Sequence, residues 1–357
     1  MAEWIKIILW VLLVPVGLAV LYLAGVIVWG MVTFYSPPPV EQAQVPQPCH
    51  DNHPWQDTIA LVTWNIGYSG LGKEMDFFYE DGKKVRPDRD LYDRYIKGIS
   101  DWIRDHGDVG LFLFQEVDQR AKRSYRDDQV ERIRHSLPGY HVLFIPNYQV
   151  QFVPLPFLHP MGRVSSGLVL AGRVCPREAR RYAFPPDEAW PTRLFMLQRC
   201  FLRVEMSFNN EPLTIINTHN SAYDETGEAK SVQLEMLRKE ALDAYRNGSF
   251  VIAGGDWNQN PPGYRQDWIT SGDAVKTIQP LIPADLMPIG WQWVYDPSQP
   301  TNRDVNKPYI KGETRTTLID YFLVSPNVEV LEVKTIPVAF EFTDHQPVYM
   351  KVRLVRP

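Results

Sequence analysis

Gly254-Gly255-Asp256-Trp257-Asn258 directly follows the apolar run Val251–Ala253, and Phe342-Thr343-Asp344-His345-Gln346-Pro347 directly precedes the apolar run Val348–Leu354. Both stretches place carboxylate, amide or imidazole groups where a predicted strand meets a loop. A charge on a buried strand is costly unless it is paired or bound to a ligand. The two stretches therefore predict that polar groups gather at strand ends for a chemical purpose.

Four further segments share this construction. They are Leu61-Val62-Thr63-Trp64-Asn65-Ile66-Gly67, Phe112-Leu113-Phe114-Gln115-Glu116-Val117, Ile215-Ile216-Asn217-Thr218-His219-Asn220 and Leu318-Ile319-Asp320-Tyr321-Phe322. Taken singly, Asn65 fits an Asx-turn, His219 a hydrogen-bonded core histidine, and the Gly-Gly-Asp stretch a turn. Six strand ends that all carry such polar residues are harder to explain in that way. The strand ends of stacked sheets converge on one rim, so these residues could meet there.

Strand-like runs rich in Val, Ile, Leu and Phe recur along the chain from about Asp57. They are Thr58–Trp64, Val109–Phe114, His141–Ile145, Gly167–Leu170, Cys200–Met206, Leu213–Asn217, Phe250–Ala253, Thr317–Val324, Val328–Thr335 and Val348–Leu354. Helical patterns occupy Leu91–His106 and Lys230–Arg246. With no internal repeat and no second linker, the pattern predicts one α/β domain made of two stacked sheets with helices outside.

The N-terminal segment carries no charged residue from Ile7 to Tyr35. This run exceeds the roughly 20 apolar residues that a membrane-spanning helix needs. Residues 1–36 are therefore predicted to be an uncleaved transmembrane anchor, and a cleaved signal peptide is the alternative. Residues 37–56, rich in Pro and Gln, are predicted to be a linker.

The charges around this anchor predict its orientation. Lys6 precedes the apolar run, and the next Lys or Arg is Lys73. The positive-inside rule then puts the N-terminus in the cytoplasm and the domain outside, although Glu3 partly offsets Lys6. One short anchor without other targeting signals favours a bacterial inner-membrane protein whose domain faces the periplasm.

Charge and cysteine content narrow the class of protein. The formal net charge is -5 and the pI about 5.9, which argues against a dedicated nucleic-acid binder but leaves room for a nuclease with a local basic groove. Three cysteines allow at most one disulfide, for which Cys175 and Cys200 are the candidate pair. No Cys/His cluster indicates zinc.

The motifs TWN, QE, NTH, GGDWN, IDYFLVS and TDHQP, in that order, resemble the endonuclease/exonuclease/phosphatase superfamily, which includes deoxyribonuclease I, inositol polyphosphate 5-phosphatases and neutral sphingomyelinases. The resemblance covers residues 57–357, which are expected to form the catalytic domain. It implies a four-layer α/β sandwich, two mixed sheets flanked by helices, with the site on one rim. It also implies Mg²⁺ or Mn²⁺, which carboxylate and amide oxygens without thiolates would suit.

The resemblance assigns a role to each polar residue of these motifs. For the metal it implies Glu116 as the main ligand, Asn65 beside it, and Asp344 as a second nearby carboxylate. For catalysis it implies that Asp256 orients or deprotonates the attacking water, that Asn258 holds a phosphate oxygen, that His345, oriented by Asp320, contacts the scissile phosphate, and that His219 donates to the phosphate or assists the leaving group.

The substrate is left open among three classes. A sphingomyelinase-like enzyme acting on a membrane lipid phosphodiester is favoured by the anchor, the acidic charge and the apolar stretch Phe152–Leu158. A phosphomonoesterase would want a pocket cation such as Arg303 or Lys311. A nuclease would want a basic groove, for which the candidates are Lys122, Arg123, Arg126, Arg132 and Arg134, although interleaved acids also fit a solvated helix face. The alternative without catalysis is an inactive binding or scaffold protein of the same superfamily.

Two features refine these expectations. Gly67 stands where abasic-site nucleases commonly carry a carboxylate, which weakens a DNA-repair role. Tyr148–Pro160 and Gly263–Arg315 are predicted to be irregular, and loops this long are usually functional or mobile. The sequence leaves the role of Gly263–Arg315 and the oligomeric state open.

Overall fold

The fold was described from a computed structural model that covers residues 2–46, 49, 57–222, 224, 227–265 and 280–355. Fifteen strands are described in these ranges. In chain order, β1 to β15 are Val40–Gln42, Thr58–Asn65, Leu111–Asp118, His141–Val153, Gly162–Gly172, Pro176–Ala183, Cys200–Phe208, Glu211–His219, Phe250–Asp256, Gln292–Val294, Asn302–Arg303, Thr316–Thr317, Asp320–Val324, Val328–Thr335 and Val348–Leu354. The helices α1 to α4 are Ala2–Thr33, Arg89–Asp105, Gln129–Ser136 and Glu228–Arg246.

Two mixed sheets stack face to face. One has the order β1-β6-β7-β8-β9-β13-β10 and the other β14-β15-β2-β3-β5-β4, and β11 and β12 form a separate small ladder. Between the sheets lies an apolar core that includes Leu61, Leu113, Ile215 and Ile252. Because both faces of the central strands are covered, their sequences read as continuous apolar runs rather than as alternating ones.

Helices cover the outer faces of both sheets. Ile99 of α2 and Ile133 of α3 pack with Val62 and Phe112 on the outside of one sheet. Leu237 of α4 packs on the outside of the other sheet. The four layers confirm the predicted four-layer α/β sandwich.

The topology brings six strand ends to one rim. In each sheet one central pair is parallel, β2 with β3 and β8 with β9, so the carboxyl ends of these four strands point the same way. β13 and β15 run antiparallel to β9 and β2, which places their first residues at the same rim. Asp320 faces Asp256 in the β13–β9 register.

Some elements differ from the sequence expectations. β6 has a polar sequence, Pro-Arg-Glu-Ala-Arg-Arg-Tyr-Ala, and forms through backbone pairing between β1 and β7 rather than through apolar patterning. The predicted irregular segment Tyr148–Pro160 is wrong in its first part, because β4 continues to Val153 and pairs with β5. Residues 266–279 of Gly263–Arg315 lie outside the described residues.

The N-terminal helix α1 is long and apolar enough to cross a membrane, by length and composition, and a signal sequence would meet the same test. Its side chains are exposed until Val26 and Ile27, which are partly covered. Within the predicted linker, β1 adds an edge strand to β6, so this part lies on the domain. Residues 47, 48 and 50–56 of that linker lie outside the described residues.

The expected disulfide between Cys175 and Cys200 is wrong. Cys175 is bonded to Cys49, and Cys200 is a buried free thiol. Cys175 precedes the first residue of β6, whereas Cys200 pairs with Ala183 at the last. A strand of this length separates its ends by roughly 20 Å, far beyond the Cα distance that a disulfide allows.

Candidate active site

Glu116 occupies an irregular point of β3. The pairing of β3 with β5 shifts register between Phe114 and Val117, and Glu116 has a φ of 53°. Bulges of this kind turn a side chain away from the regular alternation. The Glu116 side chain is 25% exposed. It is thus the most solvent-accessible carboxylate of the rim.

Asn65, the last residue of β2, bridges two carboxylates. Its Nδ2 donates to Asp256 Oδ2 at 3.0 Å and to Glu116 Oε1 at 3.3 Å, while its Oδ1 accepts from the Gly67 amide at 3.0 Å. The assignment of the amide oxygen and nitrogen follows the hydrogen-bond network. Asn65 thereby connects groups from both sheets.

Asp344 reaches the rim beside Gly67. A Cβ on Gly67, whose φ is +50°, would lie 2.8 Å from Asp344 Oδ1 and 2.8 Å from Thr343 Oγ1. The absence of a side chain at Gly67 thus leaves room for the Asp344 carboxylate. This packing gives a physical account of the glycine at position 67.

Asp256 lies at the end of β9 and is held by its neighbours. Its Oδ1 accepts from the Asn258 amide at 3.0 Å. Gly255 has a φ of 150°, and a Cβ there would lie 2.0 Å from the Thr218 carbonyl, so the close approach of β9 to β8 requires glycine. Asn258 Nδ2 donates to the Asn220 carbonyl at 2.9 Å, which leaves its second N–H available.

His345 forms a buried pair with Asp320. His345 Nδ1 lies 2.8 Å from Asp320 Oδ2, and its Nε2 lies 3.8 Å from Asp256 Oδ2 and 3.9 Å from Asp344 Oδ2. Burial lowers the pKa of His345, but the carboxylates, Asp320 foremost, outweigh burial and raise it well above its usual value. These contacts favour the imidazolium form of His345.

Sequence reasoning missed Asn302, whose side-chain amide lies 3.0 Å from His345 Nε2. It belongs to the segment Gly263–Arg315, which was predicted to be irregular, and it forms a bridge with His345. Its only sequence signal was a place in a long Pro-rich loop. Part of that loop is therefore a wall of the site.

His219 has the opposite electrostatic state. Its Nε2 lies 3.6 Å from Asp256 Oδ2 and 3.9 Å from Glu116 Oε1. Burial, together with Arg199 and His345, lowers its pKa well below the usual value. The surroundings of the two rim histidines therefore favour opposite charge states.

The rim holds more negative than positive charge. Burial raises the pKa of Glu116, and burial raises that of Asp256 to about 7. Four carboxylates and an amide, without thiolates, gather around one charged imidazole. This donor set fits a hard divalent cation, with the carboxylates of Glu116 and Asp344 as the groups that would hold it and Asn65, whose Nδ2 faces Glu116, beside them.

One trio has ligand atoms within 4.8 Å of one another, Asp256, Asp320 and His345. Because Asp320 is hydrogen-bonded to His345 Nδ1 and Asp256 lies 3.8 Å from His345 Nε2, we interpret this trio as an imidazole between two carboxylates rather than as a cation cage. Its members stay available for proton positioning.

Polar contacts between the sheets fix the rim. Gln115 Nε2 donates to Asn217 Oδ1 at 2.7 Å, and Asn217 Nδ2 donates to the carbonyls of Phe114 and Val169. Trp64 Nε1 donates to the His345 carbonyl at 3.1 Å. The motif residues next to the charged groups thus hold the strand ends in register.

Several basic residues that were candidates for substrate binding instead make contacts within the protein. Arg303 is buried and donates to the carbonyls of Leu71, Gly72 and Met75. Arg123 is buried, pairs with Asp118 at 2.9 Å and lies 3.6 Å from the Tyr68 ring centroid. Arg132 and Arg134 pair with Asp127 and Glu131. Of these candidates, Lys122 and Arg123 line an open cleft, and Lys122 makes no ion pair with a carboxylate among the described residues.

A four-layer sandwich with carboxylates, amides and two histidines on one rim is an architecture of phosphoester hydrolases. The sequence profile of the Endonuclease/Exonuclease/phosphatase family matches residues 62–345, so the chain belongs to this family, whose members are hydrolases acting on phosphoester bonds. The matched range runs from β2 to His345 and includes all eight predicted site residues. No curated protein sequence matches the chain significantly.

Solved structures share the fold at low identity. An endonuclease/exonuclease/phosphatase from Beutenbergia cavernae DSM 12333 is 21% identical with a TM-score of 0.55, covering 84% of this chain and 72% of its own. D. rerio TDP2, complexed with single-strand DNA product, is 13% identical with a TM-score of 0.54, and the match covers 84% of this chain and 100% of TDP2. ANGEL2, a 2′,3′-cyclic phosphatase, is 16% identical with a TM-score of 0.54, and the match covers 83% of this chain and 96% of ANGEL2. At these identities the likeness shows the fold alone.

Proposed function

We propose that this protein is a membrane-anchored, Mg²⁺- or Mn²⁺-dependent phosphodiesterase that hydrolyses a lipid phosphodiester by in-line attack of water. The observation that supports the reaction is the convergence of Asn65, Glu116, His219, Asp256 and His345 within hydrogen-bonding or ion-pair distance at one rim. The observation that supports the substrate is an apolar loop that lies against α1.

A divalent cation bound by Glu116 and Asp344, with Asn65 beside it, would supply charge that offsets the negative phosphate. Asp256 orients the attacking water and accepts its proton. A base works best when its pKa is near the operating pH. The pKa of about 7 that burial gives Asp256 suits this role.

The two histidines have complementary tasks in this proposal. His345, charged and held by Asp320, stabilises negative charge on the phosphate as the transition state forms. His219, uncharged, donates a hydrogen bond to a phosphate oxygen or to the leaving group. The free N–H of Asn258 holds a second phosphate oxygen. No covalent enzyme intermediate is needed.

The lipid substrate is proposed from the surface around α1. Leu155, Phe157 and Leu158 are 50%, 69% and 80% exposed. The Phe157 ring lies 5.9 Å from the Tyr22 ring of α1 in an edge-to-face contact. Exposed apolar side chains grouped beside an apolar helix fit a bilayer better than water. The same proposal puts the N-terminus in the cytoplasm and the catalytic domain on the extracytoplasmic side, in a bacterial inner membrane.

The test is hydrolysis by the full chain in detergent micelles. Sphingomyelin, phosphatidylinositol phosphates and plasmid DNA are offered separately with Mg²⁺, with Mn²⁺ and with EDTA. We expect metal-dependent release of choline phosphate, reduced by about 100-fold or more in Glu116→Gln and unchanged in Asp285→Asn, which alters an exposed aspartate.

The other outcomes have distinct meanings. DNA cleavage alone would make the protein a nuclease, and phosphate release from the inositol lipids alone would make it a phosphomonoesterase. Metal-independent hydrolysis would overturn the assigned cation. No hydrolysis of any substrate by a folded protein would support the inactive scaffold.

A further inference from the structure

A cleft of about 420 Å³ lies beside the catalytic rim and has no role in the proposed chemistry. Both basic and apolar residues line the cleft. They include Lys83, Lys84, Arg86, Lys122, Leu158 and Met161. Arg123, whose guanidinium lies over Tyr68, also lines the cleft. The cleft therefore combines positive charge with an apolar wall.

The four outer cations make no ion pair with a carboxylate in the described part of the chain. Lys84 Nζ, Lys122 Nζ and Arg86 Nη1 bond to the carbonyls of Glu74, Pro160 and Lys122, at 3.2, 3.3 and 3.0 Å. Asp76 lies beside Lys83 and Lys84, but its Oδ1 accepts their backbone amides and not their side-chain ammonium groups. The described residues that line the cleft include no Asp or Glu, so this cluster is a local excess of positive charge.

The apolar wall continues into the exposed loop Leu155–Leu158, which contacts α1 at Tyr22. If the membrane span begins after Lys6, about 20 residues bring it to the neighbourhood of Val26. Tyr22 then lies four residues, roughly 6 Å, inside the bilayer edge. Interfacial elements bury their apolar face by about 5–10 Å.

The body of the domain meets α1 just beyond that edge. A Cβ on Gly30 would lie 2.9 Å from the Phe195 ring and 3.5 Å from Leu194 Cβ. Gly30 therefore lets the helix approach the domain closely. This contact and the contact at Tyr22 set the cleft at the level of lipid headgroups.

We propose that this cleft binds the phosphate of an anionic phospholipid, while Phe157 and Leu158 insert among the acyl chains of the same leaflet. The proposal rests on the membrane anchoring in the proposed function but not on hydrolysis. The lipid phosphate would meet Lys83, Lys84, Arg86 and Lys122, and its chains would continue along the Leu158 side. A soluble phosphate ester or a nucleic acid would leave Phe157 and Leu158, the apolar tip of the loop, exposed to water.

The test measures lipid retention by the full chain in a nonionic detergent with EDTA present, so that no turnover occurs. Phosphatidylglycerol and phosphatidylcholine are titrated separately and bound lipid is counted by native mass spectrometry. We expect preferential retention of phosphatidylglycerol. Because each basic residue contributes about 1 kcal/mol at an anionic surface, Lys83→Gln with Lys122→Gln should weaken retention about 30-fold.

Matched variants complete the design. Phe157→Ser with Leu158→Ser should weaken retention of phosphatidylglycerol by about ten-fold, since it removes two side chains from the acyl region. Lys239→Gln with Lys351→Gln, on α4 and β15, removes equal charge elsewhere and should leave retention unchanged. All variants should hydrolyse a soluble phosphodiester at the wild-type rate, which shows that they are folded.

Several results would overturn the proposal. They are equal retention of phosphatidylcholine, wild-type retention in either the cleft variant or the tip variant, and loss of soluble activity in the cleft variant. Displacement of the lipid by glycerol phosphate, inorganic phosphate or a single-stranded oligonucleotide would assign the cleft to that ligand instead. Failure of sphingomyelin hydrolysis by wild type, with anionic lipid retention intact, would overturn the substrate assignment and leave the cleft standing.

Discussion

The catalytic rim buries charged side chains, whereas the helix α1 exposes apolar ones. At the rim, the charged side chains of Asp256, Asp320 and His345 are 2%, 0% and 5% exposed. On α1, only 6% of the most apolar window is buried within the protein. Folded chains ordinarily expose charges and bury large apolar groups.

Each inversion is unfavourable for the isolated chain and becomes favourable with an external partner. Buried carboxylates raise the free energy of the folded state until a cation or an imidazolium offsets their charge. Exposed apolar side chains do the same until lipid covers them. The comparison teaches that the regions that weaken the chain in water are those that carry its proposed function.

The largest effect is expected where the rim loses its base. Asp256→Asn removes the proton acceptor and should lower the rate on a soluble phosphodiester by about 10³-fold. The same change removes a buried carboxylate, so the melting temperature without metal should stay level or rise. Initial rates and thermal unfolding in detergent micelles with EDTA measure the two quantities.

Asp285→Asn is the matched control, since this aspartate is exposed and belongs to no site. Activity of Asp256→Asn within ten-fold of wild type would refute the role of Asp256. A large fall in melting temperature would show instead that the buried carboxylate is mainly structural.

A smaller effect is expected from the group that holds His345. Asp320→Asn removes the strongest cause of the raised His345 pKa. The rate should fall about 100-fold, and the alkaline limb of the pH–rate profile should move to lower pH, because imidazolium is lost earlier. Asn302→Ala removes the contact at Nε2 but keeps Asp320, so it should lower the rate less and leave that limb in place. An unmoved limb in Asp320→Asn would contradict the positioning role.

The fold was largely predictable because the central strands of both sheets are buried on both faces. Such strands appear as long apolar runs, and the ten predicted ones correspond to ten of the strands described. The polar strand β6 was missed since its pairing depends on neighbours far along the chain. The disulfide failed for the same reason, because strand direction, unknown from sequence, separates Cys175 from Cys200.

The site was predictable as a set of strand ends but not as a geometry. The eight predicted residues lie on one rim, and their catalytic and metal-binding roles stay predictions. Asn302 was missed because a long Pro-rich loop has no periodicity that places it. The different charge states of His219 and His345 depend on which carboxylates surround each ring, which only the fold determines.

The smallest expected effect is the pH dependence of stability of the metal-free protein. Because burial raises the pKa of Asp256 to about 7, the folded state holds this proton between about pH 4 and pH 7 while the unfolded state releases it. Stability contributed by this group is therefore greatest at low pH and declines as pH rises toward 7. Buried His219, with its lowered pKa, has the opposite dependence.

The informative quantity is thus the difference in melting temperature between wild type and Asp256→Asn. From pH 5 to pH 7 the melting temperature of wild type should fall by roughly 2–4 °C relative to the variant. Parallel curves would show that Asp256 is ionised throughout this range. The buried Asp256 carboxylate would then not destabilise the metal-free protein, and the comparison of the rim with α1 would fail on its electrostatic side.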